Sequence, residues 1–389
     1  MSGRTLLITN FNSHYRDGLF RVLHDRYGFD FLFYSDGGEP YWPGGVAPAD
    51  HLDGQYLRGF WLGRTRVAPS LLWHLWKSDH HVVVCIAGGR FVLPLVWLFT
   101  RIRRRRLVLW SGVWHRPTLA FHRVARPVID WVLRDANAVV AYGSHVARTL
   151  LDAGVRRDRI YVAAQAIDND VFLSRIPAGD RLAYRTSKGV SATDVLVLYV
   201  GRLVESKGVG TLIRAFAQVA AGLQGVRLIV IGSGSEELRL RQLVETLGLR
   251  DRITFAGRLL NSELPIVYQS ADIAVVPSEP SPEGAEPWGL VVNEAMASGC
   301  AVVVSDAVGA AAHGLPRDKV SGFTFPAGDI SALSALLSSL ARSEDLRAIC
   351  GANARKHVRQ LTHDSMARAI AAAVAHGSNH EFVEPFVEL

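Results

Sequence analysis

The chain has 389 residues, with 43 Lys and Arg against 36 Asp and Glu, a formal charge of +7. Apolar residues make up 49% and charged residues 20%, which excludes a disordered chain and leaves room for two or three domains. Three cysteines, Cys85, Cys300 and Cys350, lie far apart, so neither a disulfide framework nor a cysteine metal site is expected, and a reduced cytoplasmic setting fits best.

The first residues, Met1 to Arg4, lead directly into a strand-like run, Thr5–Thr9, with no long apolar segment and no small-residue cleavage site. The most apolar window, Val82 to Phe99, is broken by Gly88-Gly89-Arg90 and by Pro94, too short a run for a bilayer crossing. Neither secretion nor membrane insertion is therefore expected.

In chain order, short runs rich in Val, Ile and Leu predict strands at Leu6–Thr9, Phe29–Phe33, Val82–Ile86, Leu107–Trp110, Ala138–Ala141 and Ile160–Ala163. Helical patterns fall between them at Asp17–Arg26, Val92–Arg103, Pro117–Arg134 and Ser144–Ala153. The loop 36–58 is long, rich in Gly and Pro, and carries Tyr41 and Trp42, the kind of loop that tends to be functional. Past a polar stretch at 173–193, strands are predicted at Val195–Val200, Leu228–Ile231, Ile253–Phe255, Ile273–Val276 and Ala301–Val304, again alternating with helices. A last helix at His363–Ala375 precedes an acidic and aromatic tail, 381–389. Apolar strands alternating with helices predict parallel sheets covered on both faces, so each half reads as a doubly wound α/β domain. The expected division is 1–185, 190–360, and a helix and tail at 361–389 that packs back on the first domain.

The charge divides along the same line. Residues 1–190 hold 26 Lys and Arg against 15 Asp and Glu, and residues 191–389 hold 17 against 21. Eight of the nine Trp also lie in the first half. The run Arg101-Ile102-Arg103-Arg104-Arg105-Arg106 has no aromatic interleaving and no nucleic-acid module beside it, so nucleic acid is not an expected partner. It reads either as a solvated helix end or as a contact for an anionic membrane or an acceptor's phosphates.

Two segments carry chemistry. Pro277 to Gly299 follows a strand and opens a helix, with Glu286 in the loop and Glu294 eight residues on, inside the helix. Between them, Pro287-Trp288-Gly289-Leu290 forces a tight turn at the helix start, where N–H groups and the helix dipole favour anions. Carboxylates flanking such a site accept hydrogen bonds from sugar hydroxyls, so the expected ligand is part phosphate and part sugar. The second segment, Val200-Gly201-Arg202-Leu203-Val204-Glu205-Ser206-Lys207-Gly208, sets Arg202 and Lys207 at a strand's carboxyl end, where open α/β sheets bind ligands. Two cations there neutralise a diphosphate.

Glu286 to Glu294 resembles the Glu-x7-Glu signature of the retaining glycosyltransferases of family 4, and Arg202 and Lys207 match that family's Gly-Arg…Lys-Gly element. Three further blocks follow in the family's order: Ile231-Gly232-Ser233-Gly234, Phe255-Ala256-Gly257-Arg258 and Gly322 to Asp329. The resemblance is strong over 195–330 and weaker, but consistent in layout, before that. It implies the α/β GT-B fold, two facing Rossmann-like domains with the active site in the cleft between them. It implies transfer of a hexosyl group from a UDP- or GDP-sugar to an acceptor hydroxyl with retention, and no resident cofactor or metal.

By the same resemblance, Arg202 and Lys207 hold the donor diphosphate, Glu294 the ribose hydroxyls, and Glu286 with the backbone of Gly289 and Leu290 the sugar and its phosphate. Trp288 stands where many members have Phe, Gly232 belongs to the donor site, and Arg258 and Leu259 border the base. Gly18 corresponds to the family's first-loop glycine, and His115 to its active-site histidine. The implied acceptor is a sugar, glycolipid or polyprenyl-diphosphate-linked oligosaccharide of envelope assembly, met in the cytoplasm or at the inner membrane face. A soluble natural-product acceptor, a same-fold epimerase or phosphorylase, and a catalytically silent sugar-nucleotide or membrane-binding protein are the alternatives.

Overall fold

The computed structural model describes residues 4–37, 47–48, 50–63, 65–87, 90–115, 118 and 120–376. The loop residues Tyr41 and Trp42 and the tail 381–389, both singled out in the sequence, lie outside the described residues.

The chain divides into two compact units. One comprises Met1–Val113, Ala120–Ile167 and Thr362–Leu389; the other comprises Trp114–Leu119 and Asp168–Leu361. The first unit begins with β1 (Thr5–Thr9), α1 (His14–Tyr27) and β2 (Phe29–Phe33), then three short strands, β3 (Gln55–Tyr56), β4 (Phe60–Leu62) and β5 (Thr65–Val67). It continues through α2 (Ser70–Lys77), β6 (Val82–Ile86), α3 (Val92–Ile102), β7 (Arg106–Ser111), α4 (Ala120–Asp135), β8 (Ala138–Ala141), α5 (Ser144–Asp152) and β9 (Ile160–Val162). Its sheet has the order β3-β2-β1-β6-β7-β8-β9, every pairing parallel. Strands such as β1 and β8 are buried along their whole length, which is why they carry no polar face.

The second unit runs α6 (Asn169–Leu173), α7 (Ala178–Ser187), β10 (Val195–Val200), α8 (Val209–Gly222), β11 (Val226–Ile231), α9 (Glu237–Thr246), β12 (Ile253–Gly257), α10 (Leu264–Ser270) and β13 (Ile273–Val276). It ends with α11 (Leu290–Ser298), β14 (Ala301–Ser305), α12 (Gly309–His313), β15 (Phe323–Phe325), α13 (Ile330–Arg342) and α14 (Glu344–Val358). The parallel order is β12-β11-β10-β13-β14-β15. One side of its core packs Leu212, Phe216 and Val219 of α8 with Leu333 and Leu337 of α13 over Val197, Val230 and Val303 of the sheet. Each such fully buried side chain contributes about 1.5–3 kcal/mol of transfer free energy. Asp329, from the last of the sequence blocks noted above, caps α13 by accepting from Ala332 N at 2.9 Å.

All eleven strands expected from the sequence are present; β3, β4, β5 and β15, of two or three residues each, were not expected. The break between units falls at Ile167–Asp168, before the polar stretch. Residues 168–185 group with the second unit because Gln269 Nε2 donates to Phe172 O and Ser174 O, while Arg185 pairs with Asp272 at 3.0 Å. The final helix, α15 (His363–Ala375), belongs to the first unit and packs on α1, β8 and β9. Thr362 and Ser365 form its capping box, Arg26 pairs with Asp364 at 2.5 Å, and Tyr161 Oη bonds His376 Nδ1 at 2.9 Å.

Candidate active site

The order of the second sheet reverses between β10 and β13, since β11 and β12 extend one way and β14 and β15 the other. At such a switch point the loops leaving the carboxyl ends of neighbouring strands diverge and open a crevice. The loop after β10 carries Arg202 and Lys207; the loop after β13 carries Ser278 and Glu286 and ends at α11.

Close backbone approach brings the two loops together. Residues 205–207 form a short 3-10 turn, ended by Gly208 at φ 65°, where a Cβ would lie 1.9 Å from Pro277 O. Any other residue would push the loops apart. Glu279 N donates to Ser206 O at 2.8 Å, and Thr211 Oγ1 donates to Glu279 Oε1 at 2.6 Å. Lys207 Nζ is thereby placed to donate to Glu286 Oε2, which also accepts from Ser278 Oγ at 2.8 Å.

The electrostatics of Glu286 follow from that contact. Burial pushes its carboxyl up, but the Lys207 charge, hydrogen bonds from Lys207 and Ser278, and the Arg202 charge together hold it below the usual range. Glu286 is thus held as an ionised carboxylate, in contact with Lys207 and within the field of Arg202.

The Glu286 backbone is fixed as firmly as its side chain. Its carbonyl accepts from Gly309 N at 3.0 Å and from Trp114 Nε1 at 2.9 Å. Trp114 comes from the 114–119 segment, which joins this unit although unit-one elements flank it in sequence; Thr118 N likewise donates to Pro282 O at 3.0 Å. His115, exposed and edge-on to Trp114, is carried by that segment to the loop holding Glu286.

Gly289 starts α11 at φ 89°, and a Cβ there would lie 2.8 Å from Val308 Cγ1. Leu290 opens the helix, so its first turn presents N–H groups beside Glu286. Glu294, one turn on, accepts from Tyr268 Oη at 2.8 Å. Its carboxyl is pushed up to about 7 by burial, which the Tyr268 hydrogen bond only partly opposes. The two carboxylates of the motif therefore differ: Glu286 is held ionised, and Glu294 titrates near neutrality.

Gly232 follows β11, and Arg258 and Leu259 follow β12, so they share the sheet edge that bears Arg202. One side chain of the motif turns inward, and one expectation changes in position. Trp288 is 3% exposed and donates from Nε1 to Asn293 Oδ1 at 2.8 Å, so its side chain locks the loop from the core. Gly18 lies inside α1 rather than in a loop, and a Cβ there would sit 2.5 Å from His363 Nδ1. Its missing side chain makes room for α15. Tyr268, Ser278 and Trp114 escaped the sequence reading. Ser278 sat within the quoted motif, whereas nothing in the local pattern ties Tyr268 to Glu294 or Trp114 to Glu286.

The chain is similar to known proteins in sequence and in fold. Residues 180–357 match the family described as glycosyl transferases group 1. HepE of Anabaena, solved in complex with UDP, superposes with a TM-score of 0.76 at 20% identity, over 96% of this chain and 99% of that one. The sucrose-phosphate synthase of Thermosynechococcus elongatus gives 0.72 at 21% identity, over 96% and 98%.

The fold is GT-B. Each GT-B unit here is a Rossmann-like parallel sheet flanked by helices. A D-inositol 3-phosphate glycosyltransferase of Geodermatophilus obscurus is 34% identical over 77% of this chain and 65% of its own length. The chain spans between 36% and 65% of the length of the curated relatives it matches.

Proposed function

We propose that the protein is a retaining hexosyltransferase that uses a UDP- or GDP-sugar and needs no metal ion. The observation that carries this reading is Lys207 and Arg202 acting on the Glu286 carboxylate beside the start of α11. Two cations and a helix N-terminus provide the fixed positive field that a departing diphosphate requires. UDP and UDP-glucose in the HepE complexes favour the same donor class.

In this reading Arg202 and Lys207 grip the diphosphate, with Gly232 leaving room for it. Glu294 accepts from the ribose hydroxyls, and Arg258 and Leu259 border the base. Glu286 and the N–H groups of Gly289 and Leu290 hold the sugar and its phosphate, with His115 near the sugar. The bond from the sugar's anomeric carbon to the phosphate oxygen breaks, and its electrons leave with the nucleoside diphosphate. The acceptor hydroxyl oxygen bonds that carbon from the same face, and its proton passes to the departing phosphate.

The acceptor we propose is a lipid-linked or envelope sugar reached from the cytoplasm. A soluble phosphorylated polyol is the second reading, favoured by the name of the Geodermatophilus obscurus relative. Incubation with a panel of UDP- and GDP-sugars is expected to release nucleoside diphosphate slowly from one of them, and faster with acceptor. Binding of UDP without turnover of any donor would establish a silent binding protein instead.

A further inference from the structure

Strands β6, β7 and β8 follow one another across the first sheet in a single direction. Right-handed crossovers therefore lay α3 and α4 side by side on one face, and α2 packs against α3. The connection from β1 to β2 runs the other way, which puts α1, with α15 upon it, on the opposite face.

The outward side of α2, α3 and α4 carries large apolar side chains. On α2, Leu71 and Leu75 face the core, yet Leu72, Trp73 and Trp76 are exposed, at 51%, 54% and 60%. On α3, Leu98 and Ile102 are exposed in the same way. On α4, Val124, Val128 and Trp131 stand at helical spacing and are exposed at 81%, 59% and 46%. A helix with apolar side chains on its solvent side has an unmet partner.

Contacts join these side chains into one surface. Trp97 of α3 meets Trp131 of α4 with ring centroids 4.6 Å apart, and the Arg103 guanidinium lies 4.9 Å over Trp76. Cations border it: Lys77, stacked 4.3 Å over Trp73, and the exposed Arg104, Arg123 and Arg126. Residues 60–135 contain 13 Lys and Arg and only three acids, Asp79, Asp130 and Asp135. Asp135 is engaged by Trp97 and Arg101, and Asp130 lies 3.7 Å from Arg126.

We propose that this face docks on a bilayer whose exposed leaflet carries anionic lipid. Indole rings settle at the headgroup level, aliphatic side chains reach the acyl boundary, and flanking cations meet the lipid phosphates. A second copy would bring two cationic rims together, which is repulsive. A nucleic-acid backbone would leave Leu72, Leu98, Ile102, Val124 and Val128 without a partner. Among the described residues no helix is long and apolar enough to cross a membrane, so attachment through this face is peripheral.

The test is sedimentation of the full chain with vesicles of equal parts phosphatidylglycerol and phosphatidylcholine, against phosphatidylcholine alone, without any nucleotide sugar. Binding is expected to the anionic vesicles only and to weaken with salt. Trp73→Ser with Trp76→Ser is expected to lower binding by about tenfold or more, given the transfer free energy of two indoles. Neutralising Lys77 and Arg104 together is expected to cost about fivefold per charge. All of these side chains are exposed, and unchanged melting and UDP binding in the variants separate a docking defect from a folding defect or a failed donor site. Equal binding to neutral vesicles, a dimer that dissociates in the Trp variant, or capture by RNA without capture by vesicles would each overturn the proposal.

Discussion

Glu286 Oε2 receives hydrogen bonds from both Lys207 Nζ and Ser278 Oγ, so one oxygen gathers a residue from each loop of the switch point. Lys207→Ala removes the charge that most offsets burial of this carboxylate. Turnover of the donor is expected to fall about 100- to 1000-fold, the usual cost of losing one preorganised group at a developing charge. Single-turnover kinetics with the true donor checks it, with nucleotide affinity changing far less.

Tyr268→Phe removes the hydrogen bond that holds the Glu294 carboxyl down. A bond to a charged acceptor contributes about 1.5–3 kcal/mol, so nucleotide affinity at neutral pH is expected to drop roughly tenfold or more. The more telling readout is the pH profile of UDP binding measured by calorimetry. Affinity is expected to rise as Glu294 ionises around pH 7, and the variant's rise is expected to move to higher pH.

Glu294 also links folding to pH. Its carboxyl is raised from 4.5 to about 7 in the folded chain, so the folded state holds a proton that the unfolded state has released. Stability from this group is full below about pH 4.5 and is lost as pH rises to about 7, at most about 3 kcal/mol. Glu294→Gln is expected to flatten that part of the stability curve, seen as a melting temperature that falls less between those pH values in the ligand-free protein.

Gly289→Ala places a Cβ at φ 89° and 2.8 Å from Val308 Cγ1. The strain is expected to cost about 1–3 kcal/mol and to shift the first turn of α11. Lower denaturant midpoints together with weaker UDP binding would confirm that this glycine serves both fold and site. A loss of stability with UDP affinity intact would separate the two.

Thr362→Ala removes the oxygen that accepts from Ser365 N at 3.1 Å. A destabilisation of about 1 kcal/mol is expected, and hydrogen exchange should locate it in α15 and the α1 surface beneath it.

The parallel sheets were legible because buried strands must be apolar along their whole length, as in Val195–Val200 and Ala301–Ser305. The loops at their carboxyl ends were legible because turns, cations and carboxylates stand there at fixed spacing. Strands such as Gln55–Tyr56 are too short to show a period. Side-chain direction was not legible either. The motif places Trp288 between two carboxylates, but only packing against His313 and Asn293 turns its ring into the core. Nor does spacing announce that Tyr268 meets Glu294, since that pairing depends on how β13 carries the chain from α10 to α11. The 114–119 segment changes units because of two hydrogen bonds to a loop more than 160 residues away, which no local pattern encodes.

Helix α15 gives the first unit a non-contiguous chain, closed by residues made after the whole stretch 168–361. During synthesis the α1 surface that α15 covers therefore stays bare until the residues of the second unit have been made. The intervening stretch forms its β10–β15 sheet from nearby sequence and is free to fold in the meantime. One thirteen-residue helix then covers that surface, and a ribosome stalled just short of it would hold a chain with every residue of the second unit but without the cover of the first.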